Sequence, residues 1–379
     1  MGLSIAGTTE LLEHLVEQRE LLVGCEGYVA HDGGETSFAL GIGAPGKECD
    51  GGTIWRLACG GKPLVAIGVA CLVEDGMLDL EDAVSSIIPE FRGGNKEAIT
   101  VENVLSHTAN LDPYHRGNPE FAKLSREARH EKVCSLVIRQ GRLPGERSDY
   151  SDYAAWHLLG CIIEQLSEQP FGDFLRERLF QPLGMADTFF SMTTGEYEQA
   201  ASRIGVFYDL RGHSPAPMLF DRTQLSCSLW DPAQGCYATA ADLGRFYLGL
   251  LRIQQGNAGI LSQDVLQRFV GRGRGVMWDH TFRRNCEFGL GFMRNLSLFE
   301  AGSWCSRESY GHLAFGGMIV GFCDPVHDLV VSLVVNGLLD WSAQATPRSE
   351  SAVRRRIRIV DAIYEDVLGP DLLRRQPSR

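Results

Sequence analysis

No two of the eleven cysteines stand close enough to form a Cys-x-x-Cys pair; they run singly from Cys25 to Cys323. Scattered, odd in number and unpaired in spacing, they exclude a disulfide framework and a zinc motif local in sequence, and they fit a reduced protein. The first twenty residues lack a basic segment followed by an apolar core, so no export signal is expected. The apolar runs are short or broken by glycine and fall below the ~20 residues of a membrane helix. A cytoplasmic protein that does not enter a membrane is the expectation. Positive charge is also in deficit: 36 Lys and Arg against 48 Asp and Glu give a net charge of −12, which argues against nucleic acid and anionic lipid as partners. One local exception is Arg354, Arg355, Arg356 and Arg358. They sit in a C-terminal helix pattern whose Ile357, Ile359, Val360 and Ile363 supply the apolar face, and they are read as its solvated side, with a site for an anionic partner as the lesser alternative.

What is present is the composition of a globular enzyme. The 379 residues are 44% hydrophobic and 22% charged, enough for one large domain or two interleaved ones. Residues 9–20 carry helical periodicity, and strand patterns follow at 26–31 and 36–42 with Asp32-Gly33-Gly34-Glu35 as the turn between them. From 80 to about 190 the pattern is mainly helical, with loops at Pro89, 110–113 and 142–147. Residues 191–232 have weak periodicity and read as an irregular excursion or lid. A helix at 239–252, strands at 289–294, 312–323 and 329–336, and a last helix at 349–367 complete the chain. Strands at both ends and helices between them predict an α+β (α/β sandwich) fold. Residues 1–80 and 285–379 would build the sheet domain, and 81–284 a mostly helical inserted domain, with the site in the cleft between them.

Chemistry concentrates first at Cys59-Gly60-Gly61-Lys62, followed by Pro63 and the apolar run Leu64 to Val73. Residues three apart share a helix face, so the Lys62 ammonium can lie against the Cys59 sulfur. The helix N-terminus and that ammonium both favour a thiolate. Pro63 suits a first helical turn, and the two glycines permit a close approach by backbone or substrate. The second element is Pro144-Gly145-Glu146-Arg147-Ser148-Asp149-Tyr150-Ser151-Asp152, before a helix from Tyr153 to Leu166. Asp152 suits a helix N-cap; beside Lys62 it would instead keep that lysine protonated and favour a cationic or amine substrate. The third is Tyr310-Gly311-His312-Leu313-Ala314-Phe315-Gly316-Gly317 in a strand pattern. His107, in Leu105-Ser106-His107-Thr108, is read as a satisfied structural histidine, and Asp279-His280 forms no ligand spacing.

In order and spacing these elements resemble the serine β-lactamase and penicillin-binding-protein superfamily, in its class C and esterase-type branch. There a Ser-x-x-Lys motif opens the helix, a Tyr-Ser-Asn loop follows, and a His-x-Gly strand closes the site. Glu74-Asp75-Gly76-Met77-Leu78-Asp79-Leu80, Leu179-Phe180-Gln181-Pro182-Leu183-Gly184-Met185 and residues 235–243 also match, so the resemblance covers about 26–336. It implies an antiparallel sheet flanked by helices, and an acyl-enzyme mechanism with no metal and no cofactor. By position it assigns Cys59 as nucleophile, Lys62 as its partner, Tyr150 as general base or proton shuttle and His312 as donor or acid/base. The backbone N–H groups of Cys59 and Phe315 would form the oxyanion hole, and Asp152, Leu313 and Ala314 would line the substrate site. Three positions depart from the pattern: Cys59 for serine, Asp152 for asparagine and Ala314 for glycine.

Three functions fit this sequence. The first is transfer of an acyl group from an ester, thioester or amide to an amine through a cysteinyl thioester. Thioesters discriminate in favour of amines over water more than oxygen esters do. The second is hydrolysis through the same intermediate, and the third is a non-catalytic binding protein that kept the fold. Partners are a small-molecule acyl donor and an amine acceptor; no heptad or repeat indicates an oligomer.

Overall fold

A computed structural model describes residues 2–18, 21–111, 124–138, 143–271, 273–339 and 347–369. Helix α1 (Ala6–Gln18) leads into the hairpin β1 (Gly24–His31) and β2 (Gly34–Ala44), with the short β3 (Lys47–Glu48) beyond it. Helix α2 (Lys62–Glu74) follows, then α3 (Arg126–Cys134), α4 (Ala154–Ser167) and α5 (Ala240–Gln254). The chain returns to the sheet through β4 (Val276–Asp279), β5 (Arg284–Phe288), β6 (Met293–Arg294), β7 (Tyr310–Ala314), β8 (Ile319–Asp324) and β9 (Leu329–Asn336), and ends its described part in α6 (Pro347–Leu368). The nine strands form one sheet in the order β3-β2-β1-β9-β8-β7-β6-β5-β4, with antiparallel neighbours throughout. Gly24 pairs with Asn336 and His31 with Leu329, so the N- and C-terminal portions of the chain meet at the centre of the sheet.

Alternation along the buried strands sends side chains into two cores. On one face Val29, Val320, Phe322 and Val331 pack with Leu12 and Leu15 of α1 and with Ile359 and Ile363 of α6. On the other, Tyr28, Ile319 and Val334 join Leu243, Tyr247 and Leu250 of α5 and the whole of α2. Gly244 permits the approach of α5, because a Cβ there would lie 2.1 Å from the Tyr28 ring. Helix α2 is buried from Lys62 to Leu72. It threads between the sheet layer and the helices around α4, as its nearly uninterrupted apolar sequence requires.

Several expectations need correction. The returning chain joins the sheet at Val276 rather than 285, and α5 packs on the sheet, although residues 239–252 fell within the expected helical insert. The strand expected over 312–323 is two strands, β7 and β8, divided where Phe315, Gly316 and Gly317 take positive φ. The strand expected over 289–294 is reduced to β6, with β5 ending at Phe288. Residues 191–232 carry two helical turns, Thr194–Ala200 and Gln224–Ser228, and a two-stranded ribbon. The buried Asn336 amide ties this stretch down, accepting from Tyr208 N–H and donating to Val206 O. Arg355 and Arg356 are buried rather than solvated: Arg355 donates to the carbonyls of Leu21 and Gly337, and Arg356 to those of Phe299 and Glu300. Only Arg354 and Arg358 of that run are exposed. The loops expected at 110–113 and 142–147 lie partly outside the described residues. No described helix is long and apolar enough to cross a membrane, and all eleven cysteines are free thiols.

Candidate active site

Cys59 sits in a 3-10 turn, Ala58–Gly61, that runs directly into α2. Ala58 has φ +46°, a left-handed conformation that costs a residue with a Cβ about 1–3 kcal/mol. The preceding chain is pinned by Leu57 N–H donating to Cys236 O at 2.8 Å. Both glycines after Cys59 answer to protein neighbours. A Cβ on Gly60 would stand 2.9 Å from Ile319 Cγ2, and one on Gly61 2.4 Å from Cys236 Cβ. They let the turn settle between β8 and a neighbouring strand, so the close approach expected from the sequence is to packed side chains.

Lys62 is fully buried, and its Nζ is the hub of the site. It lies 3.3 Å from Cys59 Sγ, 2.7 Å from Tyr150 Oη, 3.5 Å from Ser151 O and 3.7 Å from Asp152 Oδ1. Its charge also lies 4.4 Å from the centroid of the Tyr150 ring. An ammonium has three donors and no acceptor, and these groups accept all three. A buried ammonium needs a counter-charge, and the equally buried Asp152 supplies one. Asp152 therefore faces the site and does not cap α4: Tyr153 holds the N-cap position, and it is Ser151 Oγ that accepts from Ala155 N–H. Asp152 Oδ1 is also 3.8 Å from Cys59 Sγ, within reach of its thiol hydrogen.

The tyrosine loop is held from both sides. His107, at φ +60°, accepts Ser151 N–H on Nδ1 at 3.1 Å, and its ring centroid is 4.6 Å from that of Tyr150. Burial, reinforced by the Lys62 charge, pushes His107 well below the usual histidine range, which keeps it a neutral acceptor. Asp279, at the end of β4, accepts Ser148 Oγ–H at 2.5 Å and Tyr150 N–H at 3.0 Å, together with the N–H groups of Thr281 and Phe282. Sequence reasoning weighed Asp279 only as a ligand beside His280 and gave it no role. Its Asp-x-Thr spacing marks an Asx turn, yet nothing local reveals that the same carboxylate holds Tyr150.

On β7, His312 Nδ1 is 2.9 Å from Leu313 O and Nε2 is 3.4 Å from Tyr150 Oη. With the ring neutral and its proton on Nδ1, Nε2 accepts the phenol hydrogen while Tyr150 Oη accepts from Lys62. A hydrogen-bonded line then runs from Cys59 through Lys62 and Tyr150 to His312. Ala314 is buried and lies beside the Cys59 turn, 3.8 Å from where a Gly60 Cβ would be. Leu313, expected to line the site, points the other way. Strand alternation gives the cleft face to His312 and Ala314, and Leu313 packs against the core beneath α1 and α6. Phe315, at φ +53°, begins the turn after β7.

Comparisons with known proteins identify the family and the fold that carry this constellation. The Beta-lactamase family model matches residues 13–353. The chain belongs to the Beta-lactamase family. Protein flp of Staphylococcus aureus (strain MW2) is 26% identical over 195 residues, 50% of this chain and 37% of that protein. The chain thus spans less than half the length of that curated relative. A penicillin-binding protein homologue from Caulobacter crescentus superposes with a TM-score of 0.75 at 22% identity, covering 94% of this chain and 97% of the other. EstCE1, described as a hydrolase with promiscuous acyltransferase activity, gives a TM-score of 0.73 at 19% identity over 95% and 98% of the two chains. At such identities these likenesses establish the β-lactamase-like fold.

Within this Beta-lactamase family scaffold, Cys59 differs from the other thiols. Burial pushes Cys25, Cys71, Cys161, Cys286 and Cys305 up to about 12, and Cys134 to about 11. Cys59 is only half-buried and has an ammonium 3.3 Å away. Substoichiometric iodoacetamide should therefore label Cys59 at least ~10-fold faster than any other cysteine, since the thiolate is the reactive form. Peptide mass spectrometry reads this out; first labelling at any other position would count against Cys59 as the reactive sulfur of the site.

Proposed function

We propose that the protein is an acyltransferase that carries its acyl group on Cys59 and delivers it to an amine. The observation that carries this reading is the Lys62 ammonium, shared at 3.3 Å with Cys59 Sγ and at 2.7 Å with Tyr150 Oη. The Cys59 thiolate attacks the carbonyl carbon of an ester, thioester or activated amide. The oxyanion is taken by the backbone N–H groups of Cys59 and Phe315, an interaction typically worth ~3 kcal/mol per donor. The carbon–leaving-group bond then breaks, Tyr150 passes a proton to the departing oxygen, sulfur or nitrogen, and a thioester remains. An amine attacks that thioester and gives its proton to Tyr150 or His312. The carbon–sulfur bond breaks, releasing an amide and restoring the thiolate.

The Asp152 carboxylate beside the nucleophile favours a cationic acceptor, and the absence of any paired cysteine agrees with an acceptor met inside the cell. Hydrolysis through the same acyl-enzyme is the second reading, favoured by the fold likeness to EstCE1. Both are tested by incubating the protein with acyl esters and thioesters, with and without primary amines, and following intact mass and products. The expected result is a Cys59-dependent adduct that amine discharges to an amide. Discharge by water alone would leave a hydrolase, and no adduct from any donor would sink both enzyme readings.

A further inference from the structure

Two His-x-x-x-Cys pairs face one another away from the Cys59 site: His130 and Cys134 on α3, His157 and Cys161 on α4. Residues four apart share a helix face, so a spacing with no zinc signature in sequence becomes one cluster when the helices pack. His130 Nδ1 lies 3.3 Å from His157 Nε2 and 3.8 Å from Cys161 Sγ, and the three donor atoms all fall within 4.8 Å of one another. Zinc bonds of ~2.0–2.1 Å to nitrogen and ~2.3 Å to sulfur in tetrahedral geometry set donor–donor edges of roughly 3.3 Å (N···N) and roughly 3.6 Å (N···S). The two edges to His130 Nδ1, 3.3 and 3.8 Å, lie close to those values, and the third is within 4.8 Å, so a small side-chain adjustment closes the set.

We propose that His130 Nδ1, His157 Nε2 and Cys161 Sγ form a zinc site that clamps α3 to α4. Imidazole and thiolate donors select zinc over magnesium or calcium, which take oxygen ligands. The nearby carboxylate, Glu164, is already engaged by Arg126, Trp230 Nε1–H and Phe171 N–H. Cys134 Sγ stands 3.5 Å from His130 Nε2, on the far side of the ring. It is therefore the outer acceptor that fixes the His130 tautomer, as metal-bound histidines require. Binding displaces the Cys161 thiol proton to solvent, since the thiolate is the ligand. His130 and Cys161 are half-buried, which gives an entry path and leaves the fourth position to water.

The clamp grips the helix that begins two residues after Asp152, so it would stiffen the mount of the tyrosine loop. It is tested on the full chain, freed of metal by a chelator and titrated with zinc or cobalt(II). Wild type should take up one equivalent, give a sulfur-to-cobalt charge-transfer band and melt at a higher temperature with zinc. His130→Gln and Cys161→Ser should each weaken zinc binding by at least ~100-fold and abolish the thermal shift. Cys59→Ser, which removes a half-buried thiol outside the cluster, should leave binding unchanged. Circular dichroism verifies folding, and the half-buried His130→Gln carries the test if Cys161→Ser misfolds. Absence of the cobalt–sulfur band in wild type, its survival in His130→Gln, or its loss in Cys59→Ser would overturn the assignment.

Discussion

Cys59→Ala should lower turnover of every accepted acyl donor by about 10⁴–10⁶-fold, the range found when the nucleophile of a cooperating catalytic set is removed. What survives is binding and the oxyanion donors, which need no sulfur. Cys59→Ser is the more discriminating exchange, because it keeps a nucleophile in the same turn with Lys62 Nζ beside it. The acyl-enzyme becomes an oxygen ester, whose carbonyl is stabilised by resonance and is less selective for a soft amine over water. Hydrolysis should then persist while the ratio of amide to acid falls. Chromatographic measurement of both products at fixed amine concentration checks this. A serine variant with a higher amide-to-acid ratio than wild type would remove the chemical reason for placing cysteine here.

Legibility of the fold followed the range of the interactions that decide each feature. Strand β9 is found at its expected boundaries, 329–336, because a run of eight buried residues is a local property. The break between β7 and β8 is set by three successive positive-φ residues, of which Gly316 and Gly317 were a visible signal and Phe315 was not. Arg355 and Arg356 misled because an amphipathic pattern assigns charge to solvent. Their guanidinium groups instead reach carbonyls at Leu21 and Phe299, far away in sequence. In the site, Cys59, Lys62, Tyr150, Asp152 and His312 could be singled out from short motifs, and folding brings all five together. Leu313 failed on strand alternation, which turns alternate side chains to opposite faces. The role of Asp279 could not be read, since the N–H it receives belongs to Tyr150, 129 positions earlier.

Lys62→Met should damage both stability and activity, and separating the two tests the electrostatics of the site. Methionine fills similar volume but leaves Asp152 buried without its cation, and breaking a buried ion pair from one side costs about 3–5 kcal/mol. The loss is an uncompensated carboxylate, so Asp152→Asn in the same chain should restore part of that stability, giving a double-mutant coupling of about 0.5–3 kcal/mol in urea unfolding. Activity should not follow. Without the Nζ that touches both Cys59 Sγ and Tyr150 Oη there is no donor to hold the thiolate or to poise the phenol. Turnover should stay down by about 10²–10⁴-fold, the range for losing a positioned proton-transfer group. Strictly additive stabilities would mean that Asp152 is not the counter-charge of Lys62. Recovery of activity with stability would mean that Lys62 serves the fold alone, since neither its Nζ nor the Asp152 carboxylate is left beside Cys59 Sγ in that chain.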